Sequence, residues 1–269
     1  MTPAAIQAAA EVLAGLRLPA EGARAQLEDL PEDCRPRSLG EAYAIQEALR
    51  PLLESRGLGA PLGWKIGCTT PVMQSYLGIG HPCAGTLYRG SAYRDRAVLR
   101  ASDFFQLGLE CEIAVRLAGD LGPWTGSHSR ETVAGAIGGV MTSVEIVEHR
   151  FRDFAAVATP SLVADDFFSA GCVLGAERPP EALGDLAALS GGFSIDGAAP
   201  AATGAGAAIL GHPLNALAWL ADHVAARGGR LEAGALVTLG SVVKTIYPAA
   251  GTRIEAGFDR LPPVALEIG

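Results

Sequence analysis

Leu109-Glu110-Cys111-Glu112-Ile113-Ala114-Val115 is the stretch on which both fold and chemistry turn. Side chains alternate faces along a strand. As a strand, this segment puts Leu109, Cys111, Ile113 and Val115 on one unbroken apolar face. Glu110 and Glu112 share the other, with Cα atoms roughly 6.5–7 Å apart. Two carboxylates side by side repel. The face is therefore either wet, as on a half-exposed strand, or built around a counter-charge. Paired hard oxygen donors suit Mg²⁺ or Mn²⁺.

A third carboxylate would complete a facial ligand set. Val144-Glu145-Ile146-Val147-Glu148 offers two. Glu145 is flanked by Val144 and Ile146, so a strand puts it opposite an apolar face. Glu148 stands beside His149 and Arg150, where a solvated turn accounts for it. Glu145 is the preferred third ligand.

Lys65 lies in Gly63-Trp64-Lys65-Ile66-Gly67, between apolar neighbours and glycines. Such a lysine either snorkels to solvent or points into a site where it binds an anion or moves a proton. Thr69-Thr70-Pro71 follows. Thr70 is placed to cap a helix over Pro71–Leu77, and helix starts attract carboxylates. Gly240-Ser241, after an expected strand, offers a hydroxyl or backbone N–H to an anion, or is an ordinary turn. His212, just before Pro213, reads as structural.

Around these residues the sequence divides by texture. Residues 1–60 read as a helical N-terminal region: Ala4–Leu16 is rich in helix formers. Ser38 with Glu41 forms a capping-box pattern ahead of a helix through Leu49. Residues 61–269 read as a β-rich core. Short apolar runs alternate there with Gly and Pro turns. Strands are expected at 64–67, 109–117, 142–147, 235–239, 253–258 and 264–268, and a helix at Leu214–Arg227. Many strands with few long helices favour an α+β fold over a doubly wound parallel sheet. There is no internal repeat and no linker, so the chain reads as one domain.

The 269 residues carry a net charge of −8 and are 49% hydrophobic. That composition excludes general disorder and disfavours binding to polyanions, so no nucleic-acid partner is expected. Five cysteines without C-x-x-C spacing argue against a zinc ribbon or a secreted disulfide scaffold. No basic n-region precedes the first apolar stretch, so a signal peptide is not expected and the cytoplasm is. The longest uncharged run, Gly197–Ala221, is broken by Gly and Pro, so no membrane span is expected.

Several segments, in order, resemble the 2-keto-4-pentenoate hydratase branch of the fumarylacetoacetate hydrolase superfamily. They are Gly63-Trp64-Lys65-Ile66-Gly67-Cys68-Thr69, Leu77-Gly78-Ile79, Pro82-x-x-Gly85-x-Leu87, Glu110-x-Glu112, Glu145 with Arg150, Ala164-Asp165, Gly211-His212-Pro213, Trp219-Leu220 and Gly240-Ser241. The resemblance spans roughly residues 40–269. It implies mixed β-sheets rolled around a central site, Mg²⁺ or Mn²⁺ on Glu110, Glu112 and Glu145, Lys65 in the site, and a homo-oligomer. Thr69, Thr70, Leu87 and Ser241 then become candidate contacts to a small 2-oxo acid substrate.

The activity implied is hydration of a 2-hydroxy-2,4-dienoate to a 4-hydroxy-2-oxo acid. Decarboxylation of a 2-oxo-3-enedioate is the alternative; an acylpyruvate hydrolase or a non-catalytic binding protein of the same fold ranks lower. No histidine precedes His81, so the N-terminal His–Glu base of the hydrolases is missing. Cys83 stands where hydratases would carry Asp, and Asp166 where the family tends to carry Asn. Cys83 is therefore a candidate catalytic position of altered chemistry, its thiol pKa expected to be raised by the glutamates. Lys65 is the candidate acid–base group, with burial and a nearby cation expected to depress its pKa.

Overall fold

After two helices, Pro3–Arg17 (α1) and Leu39–Leu53 (α2), the chain enters a run of short strands. The computed structural model describes residues 1–18, 25–123, 126–198 and 202–269. Residues 19–24 of the expected helical region, and 199–201 of the long uncharged run, lie outside the described residues. Thr2 caps α1 and Ser38 caps α2, each hydroxyl accepting a backbone N–H three residues on. α2 continues past the expected end at Leu49 to Leu53.

The strands are Pro61–Gly67 (β1), Cys83–Tyr88 (β2), Ala92–Arg94 (β3), Arg96–Leu99 (β4), Leu107–Leu117 (β5), Ile137–Glu148 (β6), Ser169–Leu174 (β7), Ser190–Ile195 (β8), Ala202–Ala205 (β9), Leu236–Ser241 (β10), Arg253–Phe258 (β11) and Leu261–Ile268 (β12). Helices Pro71–Leu77 (α3), Arg130–Ala134 (α4), Thr159–Ala164 (α5) and Pro213–Ala226 (α6) connect them. His212 caps α6, its Nδ1 accepting the Leu214 N–H at 3.0 Å. The last strand begins earlier than expected because Pro262 and Pro263 lie where β12 pairs only with β11, next to a register shift. Proline cannot donate to a ladder, and that position asks for no second partner.

Seven strands form a mixed sheet in the order β2-β1-β10-β5-β6-β7-β3, and five form a second in the order β4-β12-β11-β8-β9. β2 and β7, far apart in that order, come back into contact, so the larger sheet is rolled. Helices and mixed sheets together make the fold α+β.

The roll has two unlike faces. Outward-pointing Cys111, Ile113, Val115, Val144 and Ile146 are buried in the main core, which also takes Phe193 and Ile254 from the second sheet. Each such apolar side chain contributes about 1.5–3 kcal/mol on burial. A one-residue slip of β5 would turn them inward and the glutamates outward, so burial fixes the register. Inside the roll, Leu87, Ala114, Met141, Cys172, Leu174 and Leu236 form a separate small apolar cluster. Among the described residues no helix is long and apolar enough to cross a membrane.

Candidate active site

The inner face of the roll gathers polar residues from four strands. In register, Glu110 of β5 faces Glu145 of β6, and Glu112 faces Ser143. Lys65 of β1 faces Thr238 of β10 on one side and Gly85 of β2 on the other. One carboxylate oxygen from each of Glu110, Glu112 and Glu145 lies within 4.8 Å of the others. Glu148 points elsewhere: it accepts the Phe105 N–H at 3.1 Å and approaches Arg150 at 3.3 Å.

The three carboxylates are held differently. Thr245 Oγ1 donates to Glu110 at 2.5 Å, and the Gly240 N–H donates to Glu112 at 3.1 Å. Gly240 has φ +115°, and a Cβ there would meet Thr69 Oγ1 at 2.3 Å, so only glycine brings this N–H to Glu112. Glu145 is fully buried and stands 2.9 Å from Lys65 Nζ, yet neither of its oxygens receives an aligned hydrogen bond.

Burial, then the other two carboxylates, pushes Glu112 well above the usual range. Glu145 is pushed up to about 7, chiefly by burial, with Lys65 opposing. Ionised together, three carboxylates against one ammonium would carry two excess negative charges, the charge of one divalent cation, and the raised pKa values show that this ionisation is opposed while no cation is bound. Buried charges demand such a partner. Glu145 Oε2, buried without a hydrogen bond or ion pair among the described residues, and the all-oxygen donor set fit a hard cation.

Lys65 Nζ is buried and donates to the Phe167 carbonyl at 2.8 Å. Burial alone would lower its pKa, as expected. The attraction of Glu145, followed by Glu110 and Glu112, outweighs burial, and the pKa is raised. This is the direction set by the carboxylates in the absence of a cation; a divalent cation bound among them would act in the expected, opposite direction.

The Phe167 carbonyl comes from an unusual turn. Asp166, Phe167 and Phe168 are consecutive left-handed residues, with φ 51°, 50° and 68°. Non-glycine residues in that region cost on the order of 1–3 kcal/mol each and persist only where surroundings over-determine them. Buried ion pairs flank the turn: Arg150 to Asp165 and Arg17 to Asp166, both at 2.6 Å.

Other expected site residues fall around this centre. Thr69 is buried against Gly240 at the edge of the carboxylate group. Thr70 caps α3, its hydroxyl accepting the Met73 N–H at 3.3 Å. Leu87 sits in the small inner cluster, where its contribution is packing. The Ser241 hydroxyl is held by backbone carbonyls, Val243 O at 2.7 Å and Cys111 O of β5 at 3.3 Å; the neighbouring Gly240 N–H makes the polar contact to Glu112 instead.

Cys83 is fully buried on β2, and its thiol is pushed far up first by a hydrogen bond with Cys68 and then by burial. The cause differs from the expected one, since Cys68 and not the glutamates dominates. A thiol held protonated in this way is no base.

Ser143 and Thr238 were not anticipated. Both are fully buried on the inner face, and their hydroxyls have no hydrogen-bond partner among the described residues. The period-2 offset of Ser143 from Glu145 was the available signal. Arg17 and Asp166, joined across 149 positions, had none as a pair.

A profile of the fumarylacetoacetate hydrolase C-terminal family matches residues 88–268, most of the rolled sheet and all of the second one. The chain belongs to this fumarylacetoacetate hydrolase family. Within it, the chain is 35% identical over 237 residues to a 2-keto-4-pentenoate hydratase of Paraburkholderia phymatum, covering 87% of each. It is 30% identical over 261 residues to a 4-oxalocrotonate decarboxylase of Pseudomonas putida, covering 97% of this chain and 95% of that one. Among solved fumarylacetoacetate hydrolase folds, it superposes with a TM-score of 0.90 on the 4-oxalocrotonate decarboxylase of Pseudomonas putida G7 complexed with magnesium and adipate. That match has 27% identity and covers 100% and 99% of the two chains.

Proposed function

We propose that the protein is a lyase of 2-oxo and 2-hydroxydienoic acids that works through an enolate, with hydration of a 2-hydroxy-2,4-dienoate to a 4-hydroxy-2-oxo acid as its reaction. The observation that carries this reading is the inward-facing group of Glu110, Glu112 and Glu145 with Lys65 against it. Glu110, Glu112 and Glu145 would hold Mg²⁺ or Mn²⁺. Such a cation supplies Lewis acidity, stabilising negative charge that develops on the C2 oxygen of a 2-oxo acid.

The chain's own residues supply the rest. Lys65 keeps a proton at Nζ, fixed by the Phe167 carbonyl, and delivers it to the far end of the dienolate. Ser143 and Thr238 offer hydroxyls to the substrate or to the water that adds at C4. The closed inner face keeps bulk solvent from the developing charge. Lys65→Met should lower kcat by about 10²-fold or more. A change confined to KM would reduce Lys65 to uniform binding.

Cys83 favours a second reading. A protonated thiol orients water poorly, and decarboxylation of a 2-oxo-3-enedioate passes through the same enolate with CO₂ leaving and needs no ordered water. The test is to assay wild type and Cys83→Asp with Mg²⁺ or Mn²⁺ on 2-hydroxypenta-2,4-dienoate and on a 2-oxo-3-enedioate, following dienoate absorbance and CO₂. Hydration by the wild type supports the first reading. CO₂ release by the wild type, exchanged for hydration in Cys83→Asp, supports the second. Consumption of neither substrate overturns both.

A further inference from the structure

The α1 helix ends at Arg17, whose guanidinium is buried beneath the rolled sheet. Its NH1 donates to Asp166 Oδ2 at 2.6 Å, and its NH2 donates to Ser169 O at 3.1 Å. The other oxygen of Asp166 accepts the Thr86 N–H at 3.0 Å. One carboxylate thus joins the N-terminal helix to β2. Both groups are almost wholly inaccessible, with side-chain exposures of 5% and 1%.

Asp166 opens the run of three left-handed residues, and Phe167, the middle one, gives its carbonyl to Lys65 Nζ. The same turn lies against Gly85, the register partner of Lys65. A Cβ on Gly85 would stand 2.8 Å from the Asp166 carbonyl oxygen. The backbone that aims Lys65 is therefore strained, tightly seated, and fastened at its first residue by an arginine from a distant helix. Arg150 fastens the preceding residue, Asp165, and also donates to Ser169 O at 2.9 Å. The turn is gripped from both ends.

We propose that Arg17 is a positioning residue for the reaction: through Asp166 it holds the left-handed turn whose Phe167 carbonyl fixes the Lys65 ammonium. The proposal rests on the reading of Lys65 as the acid–base group. Among the described residues Arg17 meets Asp166, Ser169 and the Tyr88 ring, not the carboxylate group or Lys65, and its effect passes through the turn. Without the guanidinium, the Asp166 carboxylate is left buried beside β2 with one backbone donor, and the strained turn loses its lateral anchor. Nζ then keeps its attraction to Glu145 but loses the acceptor that sets its direction.

The experiment compares Arg17→Met, Arg17→Lys and Lys65→Met as full-length proteins, each checked for folding by near-ultraviolet circular dichroism. Four quantities are read: kcat and KM on the substrate the wild type consumes, Mg²⁺ affinity by calorimetry, and hydrogen-exchange protection of the 165–169 amides without substrate. Arg17→Met is expected to lose protection of these amides and to lower kcat at least tenfold, with KM and Mg²⁺ affinity within about threefold. Arg17→Lys is expected to recover at least part of kcat, because it restores the charge opposite Asp166. Unchanged kcat in Arg17→Met overturns the proposal, whether or not protection falls. A proportionate fall in kcat and Mg²⁺ affinity also overturns it, since that is general loosening. Lys65→Met reports separately on the underlying reading: if it turns over at the wild-type rate, the acid–base assignment falls, and any loss in Arg17→Met then cannot run through Lys65.

Discussion

Glu145 lies directly across the β5–β6 pair from Glu110, on the face where both strands turn inward. Like charges directly opposite destabilise a sheet, and here Glu112 adds a third within reach. Lys65 offsets part of this repulsion, and a divalent cation held by all three would offset the rest. Glu145→Gln should therefore weaken Mg²⁺ binding by at least tenfold in calorimetry while unfolding at an unchanged or higher denaturant concentration. Glu148→Gln, whose partners are Arg150 and the Phe105 N–H, should leave Mg²⁺ affinity intact. The reverse pattern would transfer the ligand role to Glu148.

Gly240 is the narrowest steric point of the site. Gly240→Ala sets a methyl against Thr69 in a backbone region that alanine avoids. The expected outcome is a loss of about 1–3 kcal/mol in urea unfolding, together with weaker Mg²⁺ binding as the N–H to Glu112 is displaced. Wild-type stability and affinity in this variant would mean that the backbone relaxes freely there.

Arg150 and Asp165 form a fully buried ion pair. Burial still leaves the Asp165 carboxyl above its usual pKa, although Arg150 opposes the shift. Asp165→Asn removes a charge that Arg150 needs. Breaking one partner of such a pair costs about 3–5 kcal/mol. Equilibrium unfolding of Asp165→Asn should show a loss of that size, and one below about 1 kcal/mol would show that Glu148 and the Ser169 carbonyl suffice for Arg150.

His223 stacks on Trp219 and packs against Tyr43. Burial first, then Arg227 and His81, hold its imidazole down to about 4, against 6.5 for a free histidine. The unfolded chain thus binds this proton more readily than the folded one, and stability falls as pH drops from about 6.5 toward 4. His223→Phe should remove that component, so the difference in unfolding free energy between wild type and variant should change across this interval and level off outside it. A midpoint near 6.5 in an NMR titration of His223 would contradict the expectation.

The strand that decided the fold was legible because its alternation is strict and its apolar face unbroken. Glu145 was legible for the same reason: Val144 and Ile146 bracket it. What escaped the sequence depends on register between distant strands. The Cys68–Cys83 contact exists because Gly67 pairs with Cys83, a match that spacing does not reveal. Lys65 was found, but the upward pull of the carboxylates on its pKa in the metal-free site was not. That direction follows from how many carboxylates surround one ammonium, a count available only once β1, β5 and β6 share an interior. Asp166 was noted only as a departure from the family pattern, and its partner Arg17 belongs to a helix whose composition advertises nothing but helicity.

The parallel pairing of β1 with β10, Gly63 against Leu236, has a kinetic meaning. Lys65 is synthesised early, but the strand that locks it beside β5 arrives almost last. The β5–β6 hairpin can form locally and bring Glu110 opposite Glu145 while Lys65 is still unplaced. Long-range parallel pairing is the slow part of folding. Topology thus favours a stage in which acidic side chains cluster before their ammonium arrives. At that stage their mutual repulsion opposes closure, and dissolved divalent cations would act as folding agents before they act in catalysis.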